Sequence, residues 1–158
     1  MFNIGDKVVY PMHGAGVIEA IEEKEVLGSK RRYYIMKLPV GDMRVMIPID
    51  NTVDIGLRQV INKDSLQEVY AILKDHQSVI TVSWNARYRA NMEKIKSGDI
   101  CQLAEVVRNL ALRDREKGLS TGERKMLENA RQILISELAL VKESKTETVE
   151  SMLAEMLA

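Results

Sequence analysis

The sequence predicts an α+β protein, a small antiparallel β-barrel followed by an all-α domain, and three observations carry that prediction. Six of the nine glycines and all three prolines, Pro11, Pro39 and Pro48, fall within residues 1–58. Over that stretch short β-branched or aromatic runs alternate with turn residues, whereas beyond it the apolar spacing changes from two to three or four residues. Four later segments open on a Ser or Asp suited to a helix N-cap. The 158 residues suffice for two small domains, expected at 1–58 and 59–158.

In chain order, "DKVVY", "AGVIEAIEE", "RRYYIMKL" and "MRVMIPI" read as strands, separated by "PMHG", "LGSK" and "PVGD". "GVIEAIEEKEV" is a long, half-exposed strand, and "EVLGSKRRYY" a hairpin turning at Gly28-Ser29. Five short strands, these four and one more, in fewer than 60 residues require a strongly bent barrel. Ser65, with Glu68 three residues on, predicts a capping box and a first helix over 65–75, with Leu66, Val69, Tyr70 and Leu73 on one face. "QSVITV" is too apolar for an isolated linker and is expected to pack back on the helices. Ser83 and Gly98 bracket a second helix, and Asp99 and Gly118 a third. Ser120 and Glu123 form a second capping box opening a fourth, which buries Met126, Leu127, Ala130, Leu134 and Leu138. "TVESMLAEMLA" has helical spacing for a fifth, packed on the bundle, contacting a partner or fraying as a chain end.

Composition narrows the chemistry. No run of eighteen apolar residues and no basic start leading into an apolar stretch occurs, so a cytoplasmic protein with no membrane partner is expected. One cysteine, Cys101, and two histidines, His13 and His76, make neither an internal disulfide nor a zinc ligand set, and no metal or cofactor is expected. "HGAG" matches no phosphate-loop spacing, and its glycines are read as serving backbone geometry. Glu22 and Glu23 are neighbours on a strand and point to opposite faces. With no set of groups in acid, base or nucleophile roles, an enzyme is not expected.

What remains are surfaces. Net charge is zero, yet residues 84–125 hold ten Lys/Arg against six Asp/Glu, and residues 136–158 hold two against five. A locally basic middle offers phosphate contacts, although "LRDREKG" equally reads as a solvated helix end whose cations complement the dipole. Trp84, the single tryptophan, begins a stripe continued by Tyr88, Met92 and Ile95. Spacing alone makes it the first core residue of a helix. Its place at the helix start, with Arg87 and Arg89 near, also makes it an apolar tip ringed by cations, as in proteins that unstack a base step from the minor groove.

Three stretches, "GDKVVYPMHGAGVIEAI", "SWNARYRANMEKIKSGD" and "AEVVRNLALRDREKGLSTGERKMLENARQILISELAL", together resemble the CarD (CdnL-like) family of bacterial transcription regulators, in order and over nearly the whole chain. The resemblance implies an N-terminal Tudor-like or SH3-like barrel that binds the RNA polymerase β subunit, related to a module of transcription-repair coupling factor. It also implies a helical domain touching promoter DNA at the upstream edge of the melted region. There a tryptophan wedges into the minor groove, largely without regard to sequence, and slows collapse of the open complex.

Carried onto this chain, the resemblance assigns DNA contact to Trp84, Arg87 and Arg89, and the basic helices add Arg113 and Lys125 as candidate phosphate contacts. A basic position two residues after the tryptophan in some relatives is Ala86 here. On the polymerase side it assigns Lys24 in the long second strand, and Met46 and Ile47 in "MRVMIPID". Met46 falls where relatives carry a basic residue, and Arg44, two residues earlier on the same strand face, substitutes for it. A monomer satisfies these roles. The competing reading is a protein-protein adaptor with no DNA contact, in which Trp84 is core.

Overall fold

The computed structural model describes residues 1–39, 43–76 and 83–158. Five antiparallel strands come first: β1 (Lys7–Tyr10), β2 (Gly14–Val26), β3 (Ser29–Lys37), β4 (Arg44–Pro48) and β5 (Arg58–Gln59). Between β4 and β5 lie a 3-10 turn (Ile49–Asn51) and a one-turn helix, α1 (Thr52–Ile55). The strand order β4-β3-β2-β1-β5 is a meander whose last strand returns to the first, as in small Tudor-like and SH3-like barrels. A bulge between Ile18 and Ala20 gives β2 an extra residue, which sharpens its bend.

Inward residues alternate as period two demands. Val8, Ile18, Tyr34, Met36 and Ile47 share one buried cluster, closed by Leu38 and Leu57. Beyond it β2 and β3 run on as a ribbon, exposed over residues 22–32. Val26 pairs with Ser29, so the tight turn is Leu27–Gly28, one residue earlier than expected. Both turn residues have positive φ, 51° and 80°, the geometry of a type I′ hairpin.

Five longer helices follow: α2 (Leu66–Lys74), α3 (Trp84–Lys96), α4 (Ile100–Lys117), α5 (Thr121–Lys142) and α6 (Thr146–Leu157). With α1 the described residues hold six, one more than the upper expectation. Caps act where expected at Ser83, Asp99 and Ser120, whose side chains accept the N–H of Ala86, Cys101 and Glu123. Ser65 does not cap α2. A 3-10 turn (Lys63–Ser65) precedes that helix, and Asn62 Oδ1 accepts the Ser65 N–H instead, because Ser65 is already helical in φ and ψ. The terminal helix α6 is packed, with Val149 and Leu153 fully buried. The expected packing of "QSVITV" and most of the "PVGD" turn lie outside the described residues.

α5 is the axis of the molecule. One side buries Leu134 and Leu138 among the helices, each worth roughly 1.5–3 kcal/mol. Another meets β2 of the barrel. Ser136 Oγ accepts the Ala15 N–H at 2.9 Å, and Gly14 (φ 118°) lies so near that an added Cβ would stand 3.1 Å from that oxygen. The "HGAG" glycines thus serve close backbone approach. Arg58 of β5 makes a two-toothed pair with Glu137 of α5, 2.8 Å on each arm, and donates a third bond to Gly98 O. Glu137 also accepts the Ile61 N–H at 2.9 Å, so one buried carboxylate ties the last strand and its exit to the bundle.

Candidate nucleic-acid interface

Ser83 is the N-cap of α3, which places Trp84 in the first helical position at the rim of the bundle. Its residue exposure is 43%, whereas Tyr88 and Met92 are half-buried and Ile95 is buried. The stripe therefore runs from core to surface. Trp84 stacks on Tyr88 one turn later, centroids 4.9 Å apart and planes at 19°. Its indole N–H donates to Ser120 Oγ at 3.0 Å. The edge of its ring lies over Gly122, where an added Cβ would be 3.6 Å from Cζ2.

Below the ring, Arg87 donates through Nε and Nη2 to both oxygens of Glu123, at 2.7 and 2.9 Å. The side chains are 11% and 2% exposed. The Arg87 hydrogen bond holds the Glu123 carboxyl below the usual carboxylate range, with burial opposing and the charges of Arg87 and Arg113 adding to it. The same bond raises Arg87. Glu123, expected as the returning arm of a capping box, has turned its carboxylate to Arg87. A deeply buried charge requires a partner, and the guanidinium is the stronger one.

The five expected DNA-contacting residues therefore part company. Trp84, Arg89 and Lys125 are exposed. Arg87 is turned inward to Glu123 and is a strut rather than a surface cation. Arg113 is half-buried, its Nε has no hydrogen-bond partner among the described residues, and its charge acts on Glu123. Lys125 lines a groove of about 280 Å³ beside the tip, with Met12, Tyr88, Met92, Ile95 and Met126. Sequence reasoning missed Ser120, Gly122 and Glu123 as companions of Trp84. Their only signal was the capping box itself, which places a serine and a carboxylate at one helix start but names no distant partner.

The barrel presents a second surface. β4 is an edge strand, with Arg44 and Met46 pointing outward and Met46 47% exposed. Ile47 is fully buried in the barrel core, so its side chain cannot serve the expected polymerase contact; strand alternation turns it inward. Arg44 pairs with Glu19 at 2.7 Å, which lowers the Glu19 carboxyl. Lys24 lies on the exposed ribbon, 3.5 Å from Glu22. Lys24 is registered with Arg31 and Arg44 with Lys37, so they stand about 20 Å apart along β3 at ~3.4 Å per residue.

His13 is exposed and packs edge-on to Tyr10, and burial pushes the Cys101 thiol up. Among the described residues no three His, Cys, Asp or Glu side chains cluster to hold a metal. No helix among them is long and apolar enough to cross a membrane.

Known proteins resemble this chain along most of its length. Residues 2–61 match the family model of the CarD-like/TRCF RID domain, and residues 68–154 that of the CarD C-terminal domain. "Putative transcription factor YdeB" of Bacillus subtilis (strain 168) is 46% identical over 142 residues, covering 90% of this chain and 93% of that protein. The solution NMR structure of the 72-residue N-terminal domain of Myxococcus xanthus CarD is 36% identical, covering 37% of this chain and 79% of that one, with a TM-score of 0.33.

Proposed function

The chain belongs to the CarD family of transcription regulators, and on that premise we propose that it bridges RNA polymerase and promoter DNA. In this reading the barrel, residues 1–58, binds the polymerase β subunit through the edge of β4. A strand edge offers unpaired backbone groups to a partner's sheet, and outward side chains add specificity. Arg44 and Met46 flank that edge, and Lys24 adds a distant contact. The helical part, residues 59–158, touches the minor groove at the upstream edge of the melted region through Trp84, with Arg89 and Lys125 on phosphates. Arg87 and Arg113 act from beneath, on Glu123 and hence on the start of α5.

The observation that carries this reading is the setting of Trp84, an exposed indole on a buried, charge-paired base. A side chain meant for the core would not be left 43% exposed on so firm a footing. Tethering to polymerase raises the effective concentration of DNA at the tip, so a neutral protein with a small basic face suffices. The regulatory step is a difference in affinity between melted and closed DNA. A tenfold longer open complex needs about 1.4 kcal/mol, and one stacked aromatic provides roughly 1–3 kcal/mol.

Two measurements test the proposal. Trp84→Ala is expected to keep the fold and polymerase binding while open promoter complexes decay about tenfold faster. Unchanged decay would leave the adaptor reading standing. Arg44→Glu with Met46→Asp is expected to abolish capture of a β-subunit fragment; retained capture would remove β4 from the polymerase contact.

A further inference from the structure

We propose that Met12 and Met92 form a modification site, two thioethers in an open groove between barrel and bundle that hydrogen peroxide converts to sulfoxides, loosening the support of Trp84. The chain holds nine methionines and one cysteine. Cys101 is a poor nucleophile, because burial first, then the charges of Glu68, Asp99, Glu105 and Glu137, keep its thiol protonated. A thioether has no proton to lose and keeps its lone pairs at any pH. The sulfur chemistry open to oxidants in this fold is therefore that of methionine.

Met12 is the barrel's reach into the bundle. It stands in the β1–β2 turn, where Tyr10 pairs with Gly14 and the His13 N–H donates to Tyr10 O at 2.9 Å. Closing the turn puts Met12 at φ 76°, a left-handed backbone that costs any residue with a Cβ. A glycine would adopt it freely but would lack the side chain that packs, half-buried, on the helical core. Beside it Pro11 is pressed against the end of α3, its Cγ 3.1 Å from where a Cβ on Gly98 would stand.

The groove of about 280 Å³ joins Met12 to Met92 of α3 and Met126 of α5. Tyr88 and Gly122, the two residues on which the Trp84 ring lies, line it as well. Met12 and Met92 are half-buried, whereas Met126 is 5% exposed, so an oxidant entering from solvent meets the first two before the third. A sulfur lone pair attacks one peroxide oxygen and the O–O bond breaks. The departing hydroxide takes the proton of the transferred oxygen and leaves as water, so sulfur loses the two electrons that the peroxide gains.

The product carries a polar S=O where an apolar side chain had packed, and burying that group unpaired is unfavourable. Met12 sulfoxide leaves the helical core, and the left-handed turn loses the packing that offset it. The Arg58–Glu137 pair and the Ser136–Ala15 bond involve other residues and still hold barrel to bundle. The loss of order is confined to the groove and reaches Trp84 through Tyr88. On the reading that Trp84 meets promoter DNA, that contact becomes sensitive to peroxide; the oxidation itself does not rest on that reading.

The full chain is treated with hydrogen peroxide in the absence of DNA. Peptide mass spectrometry maps oxygen gained at each methionine, and fluorescence anisotropy reports Trp84, the only tryptophan. Met1, Met43 and Met46 are more exposed and serve as internal controls. Conversion of Met12 and Met92 is expected to lower the anisotropy, and methionine sulfoxide reductases, one for each epimer, to restore it. Met12→Leu with Met92→Leu keeps the apolar volume and is checked for folding by circular dichroism. This protein is expected to hold its anisotropy through the same treatment while Met1, Met43 and Met46 convert. Met12→Gln, which sets a polar group in the turn without oxidant, is expected to lower the anisotropy untreated. Met12 and Met92 left unmodified after the three exposed methionines have converted would overturn the site. Conversion at unchanged anisotropy, or an equal fall in the double-leucine protein, would overturn its hold on Trp84. Neither result touches the DNA-contact reading, which the open-complex decay of Trp84→Ala tests separately.

Discussion

Two arginine–glutamate pairs are built on α5, about four turns apart. Each puts a fully buried carboxylate against a two-toothed guanidinium, yet they do different work. Glu123–Arg87 joins two helices of one bundle and sets the footing of Trp84. Glu137–Arg58 joins the bundle to the barrel and also takes the Ile61 N–H. Arg87 is 11% exposed and Arg58 29%. The first pair is sealed, the second opens to water on the arginine side. Identical chemistry thus gives a positioning device at one end and an interdomain clamp at the other, the difference lying in which element supplies the arginine.

The strongest way to break the clamp is Arg58→Ala. It leaves the Glu137 carboxylate buried without its cation and removes the bond to Gly98 O, so a loss of about 3–5 kcal/mol is expected in urea unfolding, felt by both cores. Glu137→Ala should cost less, about 1–3 kcal/mol, because Arg58 is partly hydrated and keeps Gly98 O and Gln59 O. If the two variants cost the same, the clamp is as sealed as its counterpart.

At the other end Arg87→Ala is expected to cost about 3 kcal/mol, and Glu123→Ala nearly as much, since both side chains are buried. Trp84 fluorescence anisotropy should fall in both, and in neither Arg58 nor Glu137 variants. Acid separates the ends further. The folded-state pKa of Glu123 lies below its unfolded value, so its contribution is complete above about pH 4.3 and is lost as pH falls through the folded value. Arg87, raised, would lose its share only at extreme alkali. Below pH ~4 the stability difference between wild type and Glu123→Gln should therefore narrow, in chemical denaturation followed against pH.

The smallest change is a control remote from both pairs. Leu27 sits at the hairpin tip with φ 51°, a region Asn tolerates better. Leu27→Asn is expected to add roughly 0.5–1 kcal/mol and to add it equally to every variant above, as independent sites do.

Much of this was legible beforehand because it is local. The N-caps at Ser83, Asp99 and Ser120 are decided within three residues of sequence, and the inward alternation of β3 within a few more. The hairpin slipped by one residue, since a positive φ at Leu27 is what a two-residue turn demands and leucine does not advertise it. Ser65 failed as a cap because Asn62, three residues earlier, offered its oxygen first. Ile47 is buried where a surface side chain was expected, because a resemblance names positions, while alternation decides which of two neighbours faces out.

The sequence alone determined the kind of molecule. Period two gave way to a helical period, the apolar stripes sized the cores, and a neutral chain with one cysteine and two histidines turned the reading toward surfaces. Three motifs in order also pointed to its family. Only the tertiary structure decided the allegiance of the charges, since whether an arginine meets a phosphate or a carboxylate depends on what the fold brings opposite it. Arg87 and Arg89 are two residues apart, yet one is bound to Glu123 and the other faces solvent. Burial made that choice: a carboxylate withdrawn from water at the start of α5 binds the cation in reach, and in doing so sets the footing of Trp84.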